Sequence, residues 1–268
     1  MKLFIFIILG FIQGITEPIP VSSSGHLLIF QNIFNININY EILATITNLG
    51  SFLAILLIFK DEIINIFNSF FKYINTKEKQ YYINYKYCLL IIIATIPAGI
   101  IGLLITKLDL FKFLENNVKF VGLMLLVTAL FLYLIKDFKG IKDKKDIKLK
   151  DSIIIGIFQV FALIPGISRS GSTIVGGMFN KLKRETAFNF SFMLYIPISI
   201  ATSILGIKDL IESNLSINEL MLYLISSIFA FIFTYISLNW FKKIVTNGKL
   251  IYFVYYCLIL GGLVLLFL

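Results

Sequence analysis

The sequence predicts an all-α polytopic membrane protein with an inverted-topology repeat: about six spanning helices and two re-entrant helix–loop–helix hairpins. Three observations predict it. The chain is 58% hydrophobic and 15% charged, with a mean hydropathy of +0.90, whereas soluble domains carry about 25% charged residues. Several apolar runs are long enough for a bilayer core of about 30 Å, which needs roughly 20 residues per helix. Two shorter apolar runs break at prolines, and the two breaks resemble each other.

The spans are predicted over 41–59, 87–105, 118–135, 187–205, 219–241 and 250–268. Segment 3–16 would make a helix of about 21 Å, too short to cross comfortably. It breaks at Pro18 and Pro20, and an apolar run resumes over 27–34. Segment 152–164 repeats this behaviour, breaking at Pro165-Gly166 and resuming over 173–179. Such breaks survive at membrane depth only where protein or a water-filled cavity surrounds them. Lys2 and the apolar residues after it have the outline of a signal peptide, but no small-residue cleavage site follows, so the segment is expected to be retained.

Aligned without a gap, "GFIQGITEPIPVSSSG" and "GIFQVFALIPGISRSG" place Gly10 on Gly156, Gln13 on Gln159, Ser22 on Ser168, Ser24 on Ser170 and Gly25 on Gly171. Each is followed by three predicted spans. The chain therefore reads as a single integral membrane domain, 1–268, with repeats over about 1–135 and 151–268 joined by a basic loop, 136–150. Connections 60–86, 136–150, 180–186 and 242–249 hold eighteen Lys and Arg residues. The opposite side has five: Lys2, Lys107, Lys112, Lys119 and Lys208. The positive-inside rule makes the basic loops cytoplasmic. The first hairpin then enters from outside and the second from inside, an inversion that builds polar sites near the midplane.

The net charge of +9 is thus topological, and its partner is the lipid bilayer. No soluble basic face remains for nucleic acid. Cys88 and Cys257 lie in apolar segments and read as core residues rather than a disulfide or metal pair.

The chemistry-bearing residues cluster at the two breaks. Glu17 and Gln13 stand one helical turn apart on one face. A carboxylate inside a membrane costs a few kcal/mol. A helix-end glutamate reaching interfacial water is the plain reading, but Ser22, Ser23, Ser24 and the chain's single histidine, His26, favour a site. Arg169 is one of two arginines. It would serve as a structural partner for Glu17, or as a planar fork for phosphate oxygens. The second helix of each hairpin starts at a serine-rich step, so its N-terminal N–H groups and dipole also favour an anion. Ser22, Ser24, Ser168, Ser170, Gly171 and Thr173 are the candidate phosphate contacts, although serines at helix starts are also ordinary caps. Ser172 adds a hydroxyl, and Gly166 and Gly171 would let backbone approach closely. Ser23 is the candidate nucleophile and His26 a candidate acid or base. A water activated by Glu17 or His26 is the alternative. A hard divalent cation, Mg²⁺ or Ca²⁺, would suit Glu17, serine oxygens and substrate phosphate, and nothing shows zinc-ligand spacing.

"GITEPIPVSSSGHL" and "PGISRSGSTI" resemble the two signature loops of the undecaprenyl-diphosphate phosphatase family, the bacitracin-resistance proteins. Their order, spacing and span pattern match over nearly the whole chain, and "NFSFMLYIP" resembles the stretch after the second loop. The resemblance implies a multi-pass enzyme of the bacterial plasma membrane. It would hydrolyse undecaprenyl diphosphate to the monophosphate and phosphate, recycling a cell-wall lipid carrier and conferring bacitracin tolerance. It implies Glu17, Ser23, His26 and Arg169 as catalytic, with Gln13 in support and Glu17 as the metal-binding carboxylate. Gln13 stands where many members carry Glu, which weakens any scheme with two acidic metal ligands. Ser24 stands where Thr is common. The partner is a polyprenyl diphosphate lipid, and a homodimer stays open. A polyprenyl-phosphate transporter or flippase is the rival, since inverted repeats and broken helices suit transport too. A purely structural membrane subunit would leave Glu17 and Arg169 without a purpose.

Overall fold

The computed structural model describes residues 2–36, 38–108, 117–213 and 215–268. Lys112, counted above for orientation, lies outside them. Among the described residues the chain forms eleven α-helices: α1 Lys2–Thr16, α2 Ser23–Ile33, α3 Tyr40–Ile58, α4 Lys60–Thr76, α5 Lys79–Lys107, α6 Val118–Ile135, α7 Leu149–Phe161, α8 Arg169–Phe179, α9 Arg184–Glu212, α10 Ile217–Thr246 and α11 Ile251–Phe267.

Local chemistry sets the boundaries. Pro18 and Pro20 stop α1, because neither can donate to a helix and each restricts the residue before it. Asn39 caps α3 by accepting from the N–H of Ile42 at 3.1 Å. Ser216 and Glu219 make a reciprocal capping box at the start of α10. Both expected breaks are present, α1 to α2 and α7 to α8.

Among the described residues five helices are long and apolar enough to cross a membrane: α3, α5, α6, α9 and α10. The expected sixth span is α11, whose 17 residues would run about 26 Å. One expectation needs revision. Segment 60–86 is not a plain connection, because it contains α4 and the first residues of α5. The signal was an amphipathic spacing: Ile66 is buried, and Phe70 and Tyr73 lie against Tyr85 of α5. Asp61 and Glu62 occupy the first turn, where the helix dipole favours them. The basic loop 136–150 is docked rather than free. Ile147 is fully buried, Lys142 pairs with Asp151 at 2.8 Å, and Lys144 reaches Glu62 at 3.2 Å.

Each broken segment crosses a long helix through a glycine at matching positions. A Cβ on Gly10 of α1 would collide with the Ser226 carbonyl of α10, and one on Gly156 of α7 would come within 2.6 Å of the Ala94 carbonyl of α5. Small residues let helix backbones approach this closely, which is how helices associate without a hydrophobic drive in lipid. The two cysteines are unpaired; Cys257 is buried and Cys88 half-buried, as expected of core residues.

Gly156→Leu is expected to destabilise the fold by about 1–3 kcal/mol through overpacking, read as a lower unfolding temperature in detergent. An unchanged midpoint would contradict this close crossing.

Candidate active site

The two breaks meet. Helices α2 and α8 start with the same cap at aligned positions. Ser22 Oγ accepts from the N–H of Gly25 at 3.3 Å, and Ser168 Oγ accepts from the N–H of Gly171 at 3.1 Å. The hydroxyl two residues after each cap sits 3.3 Å from the capping oxygen, Ser24 beside Ser22 and Ser170 beside Ser168. The first helical residue is Ser23 in one copy and Arg169 in the other. Backbone N–H groups in a first turn have no intrahelical acceptor, so both starts offer donors to an anion.

Glu17 joins the two copies. Its Oε1 accepts from Arg169 Nη2 at 3.0 Å. Its Oε2 accepts from Ser23 Oγ at 2.5 Å and from Gln13 Nε2 at 3.1 Å. Both side chains of the ion pair are largely enclosed, Glu17 at 8% exposure and Arg169 at 15%. The guanidinium lies 3.9 Å over the ring of Tyr195, whose hydroxyl donates to Asn48 Oδ1 at 3.0 Å. Arg169 Nη1 is buried and has no partner among the described residues.

A cavity of about 200 Å³ opens here, room for several waters at about 30 Å³ each, or for a phosphate group. Glu17, Ser22, Ser23, Ser24, Ser168 and Arg169 all line it, which gathers six of the expected site residues. The others lie behind the wall. Gln13 supports Glu17. Ser170 pairs with Ser168, and the Gly171 N–H is spent on the cap. Thr173 bonds Ser191 Oγ and the Arg169 carbonyl, fixing α8 to α9. Ser172 is buried outside the cavity. Gly166, expected to approach an anion, instead approaches α6. It has φ +94°, and a Cβ there would sit 2.8 Å from the Val121 carbonyl. Thr128 of α6 bridges this turn, donating to the Gly166 carbonyl at 3.3 Å and accepting from the Ser168 N–H at 3.2 Å.

His26 does not line the cavity. Its Nδ1 lies 2.7 Å from the Ser22 carbonyl and its Nε2 2.7 Å from the Tyr256 hydroxyl. Both nitrogens are therefore engaged, one on the serine loop and one on α11.

Sequence reasoning missed Asn48, Tyr195, Ser199, Thr202 and Gln159 as lining residues. Gln159 was visible only as the aligned mate of Gln13. It is 2% exposed, and neither of its amide atoms has a partner among the described residues. Tyr195 lies inside "NFSFMLYIP" but carries no charge or motif of its own.

As to a cation, no group of three His, Cys, Asp or Glu occurs among the described residues. The cavity does offer the Glu17 carboxylate and the hydroxyls of Ser22, Ser23, Ser24, Ser168 and Ser199, an all-oxygen set suited to a hard cation that also draws oxygens from its ligand.

Glu17→Gln would leave the enclosed Arg169 charge without its counter-ion. Removing one member of a buried pair costs about 3–5 kcal/mol. The variant should therefore unfold at a lower temperature, and inorganic phosphate should raise its midpoint more than the wild type's. Equal midpoints without phosphate would contradict the ion pair.

Comparison with known proteins follows this geometry. Residues 6–263 match the family described as Bacitracin resistance protein BacA. Undecaprenyl-diphosphatase 1 of Bacillus licheniformis is 43% identical over 263 residues, covering 98% of this chain and 97% of that protein. Undecaprenyl-diphosphatase of Oceanobacillus iheyensis is 41% identical over 265 residues, covering 98% and 96%. Undecaprenyl-diphosphatase 1 of Halalkalibacterium halodurans is 38% identical, covering 97% and 94%. The chain belongs to the bacitracin resistance protein BacA family.

Proposed function

We propose that the chain hydrolyses undecaprenyl diphosphate to undecaprenyl phosphate and inorganic phosphate, with the chemistry in the cavity between the two broken segments. One observation carries this reading: Glu17, Ser23 and Arg169 converge on one enclosed point from opposite halves of the chain. Relatives named for this activity align over nearly the full length.

The terminal phosphate binds Arg169 through the unpartnered Nη1 and through Nη2 as it is shared away from Glu17. A guanidinium fork suits phosphate oxygens, and the first-turn N–H groups of α2 and α8 add fixed donors. Ser23 Oγ gives its proton to Glu17 and attacks phosphorus in line. The bond from phosphorus to the bridging oxygen breaks, and undecaprenyl phosphate leaves with that electron pair. Glu17 passes the Ser23 proton to the departing undecaprenyl phosphate oxygen and is a carboxylate again. It then takes a proton from water, whose attack on phosphorus cleaves the phosphoserine, and returns that proton to Ser23 Oγ as it leaves. The short Ser23–Glu17 hydrogen bond favours Glu17 over His26 as the base, since a base must reach the proton it takes. His26 instead holds the Ser22 carbonyl and so positions the loop. A divalent cation, held by Glu17, the serine hydroxyls and the substrate phosphate, would neutralise charge on the diphosphate. Fixed charges in a water-poor site contribute strongly to such reactions.

We read the matched caps and matched glycine crossings as the mark of an inverted repeat whose two broken segments are re-entrant. The lysine-rich connections then face the cytoplasm of a bacterium. Ala98 and Thr202 of the lining stand past the midpoints of α5 and α9, which both start on the basic side. This supports a cavity open to the outer face of the plasma membrane.

Phosphate release from undecaprenyl diphosphate by purified protein tests the reading. Arg169→Lys keeps the charge and loses the fork, so turnover should fall about 100-fold or more. His26→Ala should retain far more activity than Glu17→Ala. Chelator should suppress release, and Mg²⁺ or Ca²⁺ should restore it. Folded wild type that moves the lipid phosphate but releases none would favour the transporter reading, which has no use for a serine paired to a base.

A further inference from the structure

A second space adjoins the polar cavity. It is a groove of about 320 Å³ between α5 and α9. The two share Ala98, Leu163, Ile198 and Thr202 as common wall. Beyond them the groove is lined by Gly99, Gly102 and Leu103 of α5 and Ala201 and Leu205 of α9, with no charged residue. Leu103 and Leu205 are exposed, so the groove runs from the polar site to the lipid-facing surface.

The sequence makes this opening. Pro97 and Pro197 lie inside α5 and α9, each immediately before a shared wall residue, Ala98 or Ile198. Each removes one helical hydrogen bond and crowds the carbonyl four residues earlier. Two residues after Pro97 comes Gly99, where a Cβ would meet nothing within 4 Å among the described residues. Nearly every other glycine of the chain is hemmed in by a neighbour. Glycine is less favourable than alanine in a helix interior, and among the described residues no neighbouring group needs the space at Gly99.

We infer that the groove holds the first isoprene units of the substrate's polyprenyl tail, and that Gly99 is the residue that admits them. The inference rests on the diphosphatase reading. Its occupant is argued from continuity: a ligand with its diphosphate among Ser23, Glu17 and Arg169 has its tail directed along the wall the two spaces share. The lining matches a branched hydrocarbon, and the open flank leaves the rest of a long tail in the bilayer. The lipid-side phosphate then lies toward Gln159 and Thr202, which gives the unpartnered Gln159 amide an acceptor and places the terminal phosphate at Ser23.

The test uses Gly99→Phe, which fills the groove without meeting protein at its Cβ. Gly262→Phe is the control, because Gly262 on α11 also has nothing within 4 Å. Each full-length variant is assayed for phosphate release from undecaprenyl diphosphate and for thermal stabilisation by inorganic pyrophosphate. The KM of Gly99→Phe should rise about tenfold, the equivalent of losing about two buried CH₂ contacts. Its stabilisation by pyrophosphate should match the wild type's, and Gly262→Phe should match the wild type in both. An unchanged KM for Gly99→Phe would overturn the inference and leave the groove to an acyl chain of the bilayer. Loss of pyrophosphate stabilisation together with the KM change would also overturn it, since the damage would then lie at the head-group site. A wild type that releases no phosphate would bring down the diphosphatase reading itself.

Discussion

The ion pair between Glu17 and Arg169, 3.0 Å long, is the contact on which the rest of the site depends. Two enclosed charges pay a large desolvation penalty, recovered only when the geometry is good and the remaining lone pairs and protons are satisfied. The surroundings meet that demand on the carboxylate, which also accepts from Ser23 and Gln13. They meet it only in part on the guanidinium. Tyr195 lies beneath it, and Nη1 has no partner among the described residues. The asymmetry leaves the carboxylate held in place and the guanidinium with donor capacity to spare for an anion.

Everything around the pair serves to bring its members together. They lie 152 residues apart and come from segments that cannot span a bilayer. Broken helices leave backbone groups that must be satisfied; a serine cap does this in each segment, and Thr128 adds two hydrogen bonds at the second break. One copy then places Ser23 at its helix start and the other Arg169. At that aligned position one segment presents a hydroxyl and the other a guanidinium. The apolar groove between α5 and α9 completes an amphiphilic binding space, polar at the helix starts and hydrocarbon-like toward the lipid.

Much of this was legible in the sequence, for physical reasons. Long apolar runs mark α3, α6, α9 and α10, and proline breaks mark the ends of α1 and α7, because lipid permits so few alternatives. Glu17 and Arg169 stood out because charges are rare and costly in such segments. Helix α4 was read as a connection because its lysines weighed more than its three-to-four residue apolar spacing. Tyr195, Asn48 and Thr202 were not legible, since an uncharged residue on a spanning helix looks the same whether it faces lipid, core or cavity. His26 is a different case. A lone histidine beside three serines invites a catalytic role, yet both its nitrogens are engaged with Ser22 and Tyr256, and only three-dimensional placement separates the two cases. The hydroxyl of Thr173 was likewise read toward phosphate but reaches Ser191.

We propose that the ion pair holds Glu17 where it takes the proton of Ser23, so that Ser23 attacks phosphorus. The most direct measurement is rapid acid quench of the wild type during turnover of undecaprenyl diphosphate labelled in its terminal phosphate, followed by mapping of the labelled peptide. The account predicts label on Ser23, in amounts that rise and decay with turnover. Full turnover with no label on the chain, together with retained activity in Ser23→Ala, would contradict it and assign the attack to water.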